Sequence, residues 1–398
     1  MRKGKFMIEK KLLDQILKRI KNGALRVSYW DGTEKLYGVG KPLVHVTIKS
    51  AKAVRATLSN LSLGFGESYM NGLIDIDGPL DQINRLASEN KPALKALGSL
   101  NWTRAKNINI RSRQRQQIAH HYDISNNFYK LWLDKSLTYS CAYFRKPNDD
   151  LEKAQIQKVD HLLKKLQLKK DMRLLDIGCG WGTLLITAAQ KYGVTGTGIT
   201  LSKNQCQHAR AAAKKAGVSS QVKFELLNYR DLAERGEKFD RIISIDMFEH
   251  VDQGNQSNYF QAVDSMLEAS GISVLHTITH TIETPTDPWI DKYIFPGGYI
   301  PSVSETVAKL PSSNFQLIDY ENLRLHYAKT LDEWWQRFES HKTKILKMYD
   351  EKFYRMWRLY LASSSAAFRY GDLSLSQFVF TKGLDNNLTL TREFLYKK

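Results

Sequence analysis

The segment Arg173–Gly182, RLLDIGCGWG, restricts the fold of this chain more than any other stretch. A strand-like run, Arg173–Ile177, enters three alternating glycines, Gly178, Gly180 and Gly182, after which Leu184, Leu185 and Ala188 follow at helical spacing. Without a Cβ, the main chain at these glycines can turn sharply and approach a ligand at the carboxyl edge of a sheet, where open α/β folds bind ligands. The surrounding pattern predicts such a sheet. Five β-rich runs stand out, Arg173–Ile177, Gly196–Thr200, Val222–Leu227, Phe239–Asp246 and Ile272–Thr279, and helical segments follow the first four. That alternation predicts an α/β fold with a mostly parallel sheet covered on both faces. A Pro/Gly-rich loop (Thr284–Pro301), a strand at Phe315–Tyr320, an aromatic helical stretch (Leu331–Tyr370) and a last strand near Gln377–Thr381 complete the second half.

The 398 residues exceed one typical domain of roughly 100 to 200, so a second domain or a large appendage is expected. Charge locates it. Residues 1–120 carry 22 Lys and Arg against 9 Asp and Glu, so +13 of the net +18 lies in the front third. Such a balance favours anionic partners: nucleic acid, a lipid surface or an acidic substrate. From Asn90 to Tyr122 there are seven bases and no acid, the composition of an exposed connector. Ahead of it, Leu12, Leu13, Ile16, Leu17 and Ile20 recur at helical spacing among lysines, giving a basic amphipathic helix that either docks on its own domain or lies at a lipid interface. Residues 43–58 read as strand-like, and Gly64, Gly66, Gly72 and Gly78 as a turn-rich stretch.

Cys141, Cys179 and Cys206 form neither a C-x-x-C pair nor an even framework, so a disulfide scaffold and a zinc ribbon are not indicated, and a reducing cytosol is the simpler compartment. Glu9, Lys10 and Lys11 interrupt any signal-peptide core at the start. No stretch approaches the roughly 18 consecutive apolar residues of a membrane span.

The spacing D-x-G-x-G-x-G, Asp176 to Gly182, differs from the dinucleotide G-x-G-x-x-G and resembles motif I of S-adenosylmethionine-dependent methyltransferases. The second strand then ends in GITLSKNQ, where many such enzymes place an acid. Together with LGFGESYMNG, HYDISNNFYKLWLD, LTYSCAYF, DMFEHV, LHTIT, YIFPGGYIPS and HYAKTLDEWW, this resembles the cyclopropane-fatty-acyl-phospholipid synthases and the related mycolic acid cyclopropane synthases, over nearly the whole chain. The resemblance implies a Rossmann-like methyltransferase domain with a mostly parallel seven-stranded sheet, plus a smaller α+β N-terminal domain. The expected division is a basic lipid-engaging domain at 1–105, a basic linker at 106–120 and a catalytic domain at 121–398.

The implied reaction transfers a methylene unit to the cis double bond of an unsaturated phospholipid acyl chain. The π bond takes the sulfonium methyl, a carbocation results, and loss of one proton closes the ring. Such a site must exclude water and hold a base near the methyl group. In the family that base is bound bicarbonate. Carried over by motif, its holders become Cys141, Glu249, His276, Ile278 and Tyr327; Glu249 can accept the bicarbonate O–H, and His276 and Tyr327 can donate to its oxygens. Without the motif, Cys141 reads as a small buried residue and His276 as a core histidine of an apolar strand. For S-adenosylmethionine the resemblance points to Tyr139, Ser140, Gly178, Gly180, Thr200, Leu201, Gln205 and Tyr229, with Asp176 ordering the loop and His121–Tyr129 forming a lid. The aromatics from Trp334 to Phe368 read as core in preference to an acyl tunnel.

A nucleic-acid methyltransferase is permitted by the charge, but no RNA-binding module signature accompanies it, so no nucleic-acid partner is expected. A lipid-binding protein that kept the fold without turnover is disfavoured by the intact Cys141, Glu249, His276 and Tyr327. The expected partners are a phospholipid membrane surface and, by resemblance, a second copy in a homodimer; the expected place is the cytoplasm, peripherally on the inner membrane face. A methyl or methylene branch remains the alternative product.

Overall fold

The computed structural model describes residues 2–91 and 125–396. Most of the basic connector, including the expected linker 106–120, and the first four residues of the expected lid lie outside that range. Two compact units emerge, one made of residues 1–106, 285–296 and 331–372, the other of 107–284, 297–330 and 373–398. Two segments that the sequence placed with the catalytic residues therefore pack with the N-terminal ones.

In the first unit, β1 (Gly23–Tyr29) pairs antiparallel with β2 (Glu34–Val39) and parallel with β3 (Leu43–Ile48), which pairs antiparallel with β4 (Ile74–Asp77). Val27, Val44 and Val46 on its inner face meet Leu13, Leu17 and Ile20, so most of the N-terminal apolar stripe is buried in its own core while Leu12 stays exposed. The expected strand over 43–58 stops at Ile48. Ser50 accepts a hydrogen bond from Lys52 N and starts a helix, Ala51–Ser59, whose Ala51, Ala53, Val54 and Thr57 face inward. The expected turn-rich stretch is also a helix, Leu61–Met70. Its glycines serve close packing: a Cβ on Gly64 would lie 1.9 Å from Ala56 O, and one on Gly66 2.3 Å from the Trp289 ring. Gly72 and Gly78 are true turn residues, at φ +69° and +98°.

The later segments are held by side chains of the helix Glu351–Tyr370. Arg355 donates to Tyr69 O, Ile74 O and Asp75, and Arg358 to Glu339 and the Tyr69 hydroxyl. Trp334, Phe338, Tyr354 and Trp357 are buried, as core aromatics are.

The second unit is built on β5 (Arg173–Ile177), β6 (Thr195–Thr200), β7 (Val222–Leu226), β8 (Phe239–Ile245), β9 (Leu267–His280), β10 (Phe315–Asn322) and β11 (Leu373–Lys382). They form one seven-stranded sheet in the order β10-β11-β9-β8-β5-β6-β7. β5 to β9 run parallel, and β11 pairs antiparallel with both β9 and β10. The strand order reverses at β5, with β6 on one side and β8 on the other, the crevice where such sheets bind ligands. Apolar clusters cover both faces, one around Leu162, Leu185 and Phe224, the other around Ile242, Phe260 and Leu275.

The glycine turn leaves β5 at this crevice with Gly178, Gly180 and Gly182 at φ +86°, +54° and +90°. A Cβ on Gly182 would lie 2.8 Å from Phe224 Cζ and 2.9 Å from Ala209 Cβ. Gly182→Ala combines overpacking with backbone strain and is expected to destabilise the protein by about 1–3 kcal/mol in urea unfolding. A change below about 0.5 kcal/mol, the usual scatter of a neutral surface change, would contradict this reading of the turn.

Candidate active site

A cavity of about 1050 Å³, counting the space at its mouth, opens beside the glycine turn. All eight residues expected to hold the cofactor line it: Tyr139, Ser140, Gly178, Gly180, Thr200, Leu201, Gln205 and Tyr229. Backbone geometry shapes its floor. Gly178 N and Cys179 N both donate to Ile199 O of β6, at 2.9 and 3.0 Å, which folds the turn back over the sheet edge. A Cβ on Gly178 would lie 2.9 Å from Met247 Cβ, whereas Gly180 has open space around it and needs glycine only for its φ.

The polar walls are cross-braced. Thr200 Oγ1 donates to Gln205 Oε1 at 2.8 Å and accepts from Ser202 N at 3.1 Å, while Ser202 caps the helix Lys203–Lys215. Asn228 caps the next short helix, Tyr229–Ala233, and sets Tyr229 edge-on to Tyr259. Gln155 donates to Ser140 O at 2.9 Å, and Lys158 Nζ donates to Ser140 Oγ at 2.8 Å. Apolar side chains such as Leu137, Val159, Leu184 and Ile245 complete the lining beside the carboxylates of Asp176 and Asp246. Apolar walls with two acids suit S-adenosylmethionine, whose sulfonium and ammonium are both cationic. Asp176, expected only to order the loop, is thus also part of the wall.

Aromatic rings pack over one side. Phe128, Tyr129, Trp132, Tyr139 and Trp181 form a chain of ring contacts with centroids 5.3–5.9 Å apart, and Trp181 Nε1 donates to Asn126 Oδ1 at 3.1 Å. Asn126–Tyr129 is the helical part of the expected lid; His121–Ile124 lie outside the described residues.

The five residues expected to hold the base come together at the carboxyl ends of β8 and β9, around an acid the sequence reading passed over. Asp246 follows β8 with φ at +47°. Tyr327 OH donates to its Oδ2 at 3.1 Å, His276 Nε2 lies 3.6 Å from its Oδ1, and the Cys141 main-chain N–H faces the same carboxylate. Glu249 Oε1 accepts from Ile278 N, so Ile278 acts through its backbone, as its side chain chemistry requires. Of this group Asp246 lines the cofactor cavity, and Cys141, Glu249, His276, Ile278 and Tyr327 stand behind it.

Two further residues were missed. Gln377 on β11 lies in register with His276 on β9, and its Nε2 contacts His276 Nδ1 at 3.0 Å. An amide nitrogen can only donate, so Nδ1 accepts and the neutral ring carries its proton on Nε2, towards Asp246. Lys158 falls on the buried stripe of the helix Leu151–Lys165, and a lysine on an apolar face was the available signal. For Asp246 the signal was an acid at the end of a central strand, in SIDMFEHV.

Burial dominates the electrostatics. It pushes Asp246 and Glu249 well above the usual carboxylate range; Lys158 and Tyr327 oppose the shift at Asp246, while the Asp246 charge adds to the shift at Glu249. The two therefore share their negative charge near neutral pH. Burial drives His276 well below its ordinary value, which keeps it neutral, and raises the Cys141 thiol, which makes it no nucleophile.

Bicarbonate does not fit this arrangement. Its expected donors, Tyr327 OH and His276 Nε2, face the Asp246 carboxylate, as does the Cys141 N–H. Two like charges about 4 Å apart repel by about 4 kcal/mol at an effective dielectric of about 20, unless one is first protonated.

Burial also pushes Asp176 up to about 7, with Lys158 opposing. A carboxyl raised on folding contributes stability that is full below its ordinary pKa and is lost as pH rises through the raised value. Wild-type stability is therefore expected to lose this contribution as pH rises from about 4 to about 7, and Asp176→Asn to flatten part of that fall. Equal pH slopes for the two proteins in urea titrations would show that Asp176 does not titrate there.

Residues 109–378 match the family model for mycolic acid cyclopropane synthetase, and residues 12–96 match a domain of unknown function, DUF7884. A probable fatty acid methyltransferase of Pseudomonas putida is 36% identical over 94% of this chain and 96% of its own length. The cyclopropane-fatty-acyl-phospholipid synthase of Escherichia coli K12 is 38% identical over 89% and 92%. Among solved structures, the cyclopropane synthase MmaA2 of Mycobacterium tuberculosis superposes with a TM-score of 0.64 at 33% identity, over 67% of this chain and 98% of that one. The mycolic acid cyclopropane synthase CmaA1, solved with S-adenosylhomocysteine (SAH) and CTAB, gives 0.64 at 34% over the same shares. With its glycine turn, its cofactor cavity and the buried acids beside it, the chain belongs to the mycolic acid cyclopropane synthetase family of S-adenosylmethionine-dependent methyltransferases.

Proposed function

We propose that this enzyme is a cyclopropane-fatty-acyl-phospholipid synthase, adding a methylene unit across the cis double bond of an unsaturated phospholipid acyl chain. The observation that carries the reading is the meeting of the cofactor cavity with a buried acid site at Asp246. Sequence likeness to the Escherichia coli synthase over most of both chains supports the choice of lipid. S-adenosylmethionine supplies an electrophilic methyl group on its sulfonium.

The residues of this chain perform the remaining tasks. Apolar and aromatic walls keep water from a lipid carbocation, which water would convert to an alcohol. Ser140, held by Lys158, and Thr200, held by Gln205, fix the polar contacts of the cavity. Deprotonation of the new methyl group falls to the acid site, where Glu249 anchors the Ile278 main chain and Tyr327 bonds Asp246. The resemblance assigns that proton to bicarbonate, but the donors meant for it face Asp246, so no step here passes through bicarbonate.

The enzyme acts as a homodimer at the inner face of the cytoplasmic membrane, with the basic N-terminal third meeting anionic headgroups at on the order of 1 kcal/mol per well-placed base. The name of the Pseudomonas putida relative favours one second reading, methylation of the acyl chain without ring closure.

The test is mass spectrometry and NMR of phospholipids after incubation of the protein with S-adenosylmethionine and vesicles of cis-monounsaturated lipid. A gain of one CH2 with ring protons and loss of the olefin is expected; a methyl or methylene branch would select the second reading, and unchanged lipid would reject both. Glu249→Gln is expected to lower turnover roughly 100-fold or more with S-adenosylmethionine affinity little changed, because Glu249 stands behind the cavity. Full turnover in that variant would remove Glu249 from the acid site's working parts.

A further inference from the structure

Three independent features single out Asp246. Its backbone sits at φ +47°, a region that L side chains rarely adopt, so its surroundings must hold it there. Its Oδ2 accepts from Tyr327 OH at 3.1 Å, while its Oδ1, 3.6 Å from His276 Nε2, makes no hydrogen bond among the described residues. Its side chain is only 11% exposed, yet it lines the cofactor cavity beside Gly178 and Met247. A strained, buried carboxylate with one oxygen anchored and the other unbonded is built as a proton acceptor.

We propose that Asp246 is the catalytic base of the reaction, a tethered carboxylate in the place the family resemblance gives to bicarbonate. This rests on the reaction proposed above. The π electrons of the alkene form a bond to the methyl carbon as its bond to sulfur breaks, leaving a cation on the other alkene carbon. Asp246 Oδ1 takes a proton from the new methyl group, and the electron pair of that C–H bond closes the ring onto the cationic carbon. One proton is released per ring formed, which balances the positive charge lost from the sulfonium. His276, its tautomer set by Gln377, has its Nε2 3.6 Å from Oδ1, too far for a hydrogen bond, which leaves that oxygen free to take the proton. Burial raises Asp246 above the ordinary carboxylate range, which makes it a stronger base than a solvated aspartate.

The experiment is turnover of the full chain on cis-monounsaturated phospholipid vesicles, in buffer purged of carbon dioxide and then with bicarbonate added. Wild-type turnover is expected to differ by less than about 2-fold between the two buffers, and Asp246→Asn to lose on the order of 1,000-fold, as for a positioned general base. Affinity for S-adenosylmethionine, read by calorimetry, should fall far less than turnover in that variant, because Asp246 is only one of two acids lining the cavity and the base acts after binding. Asp246→Gly removes the carboxylate together with the backbone strain; it is expected to bind S-adenosylmethionine and to gain turnover at least about 10-fold when bicarbonate is added, since a diffusible base can then enter. Wild-type turnover that appears only with bicarbonate would overturn the role of Asp246 alone. So would purged-buffer turnover of Asp246→Asn or Asp246→Gly near that of wild type. A wild-type protein that modifies no lipid in either buffer would overturn the reaction and this role with it.

Discussion

Burying charge at the carboxyl edge of the sheet is the constraint on which the second unit turns. Asp176, Asp246 and Glu249 are all taken out of water there, and an isolated buried carboxylate is so costly that it usually protonates. The Lys158 ammonium offsets part of that cost. It is buried, bonds Ser140 Oγ at 2.8 Å, and feels Asp246, Asp134 and Asp176 as its charged neighbours. Replacing such a lysine with an apolar residue would leave the acids uncompensated, whereas replacing the whole group would remove the site. The cluster is thus explained by chemistry and not by stability.

The sheet and the glycine turn were legible in the sequence because both are local signals. β5, β6, β7 and β8 start and end within a residue or so of the runs that predicted them, and the glycines take the positive φ values that their spacing suggests. Features decided by distant partners were not legible. Gly64 and Gly66 look like turn residues until Ala56 O and the Trp289 ring are seen against them. The segments 285–296 and 331–372 read as part of the catalytic region because nothing local announces that Arg355 will bond the carbonyls of Tyr69 and Ile74.

The site divides in the same way. The residues that the motifs pointed to for the cofactor all line one cavity, and Gly178, Gly180, Thr200, Leu201 and Gln205 among them sit on two adjacent strand ends and their turns. The residues expected to handle the proton were legible as a set that comes together in the fold, but not as an arrangement. Cys141, Glu249, His276 and Tyr327 were named, yet the group they surround is the side chain of Asp246, whose backbone conformation no periodicity could disclose. Gln377 was hidden for a different reason: it lies 101 residues from His276 and meets it only through strand register.

That register has a consequence for the order of assembly. β11 follows β10 in the sequence, yet it is inserted between β9 and β10 and carries the amide that meets His276. Every residue lining the cavity lies between Leu137 and His250, ahead of that strand. Until Leu373–Lys382 is seated, β9 lacks its antiparallel neighbour and the imidazole lacks its amide. The crevice thus draws on one contiguous stretch of chain, whereas the proton-handling side waits on a strand inserted from far along the sequence.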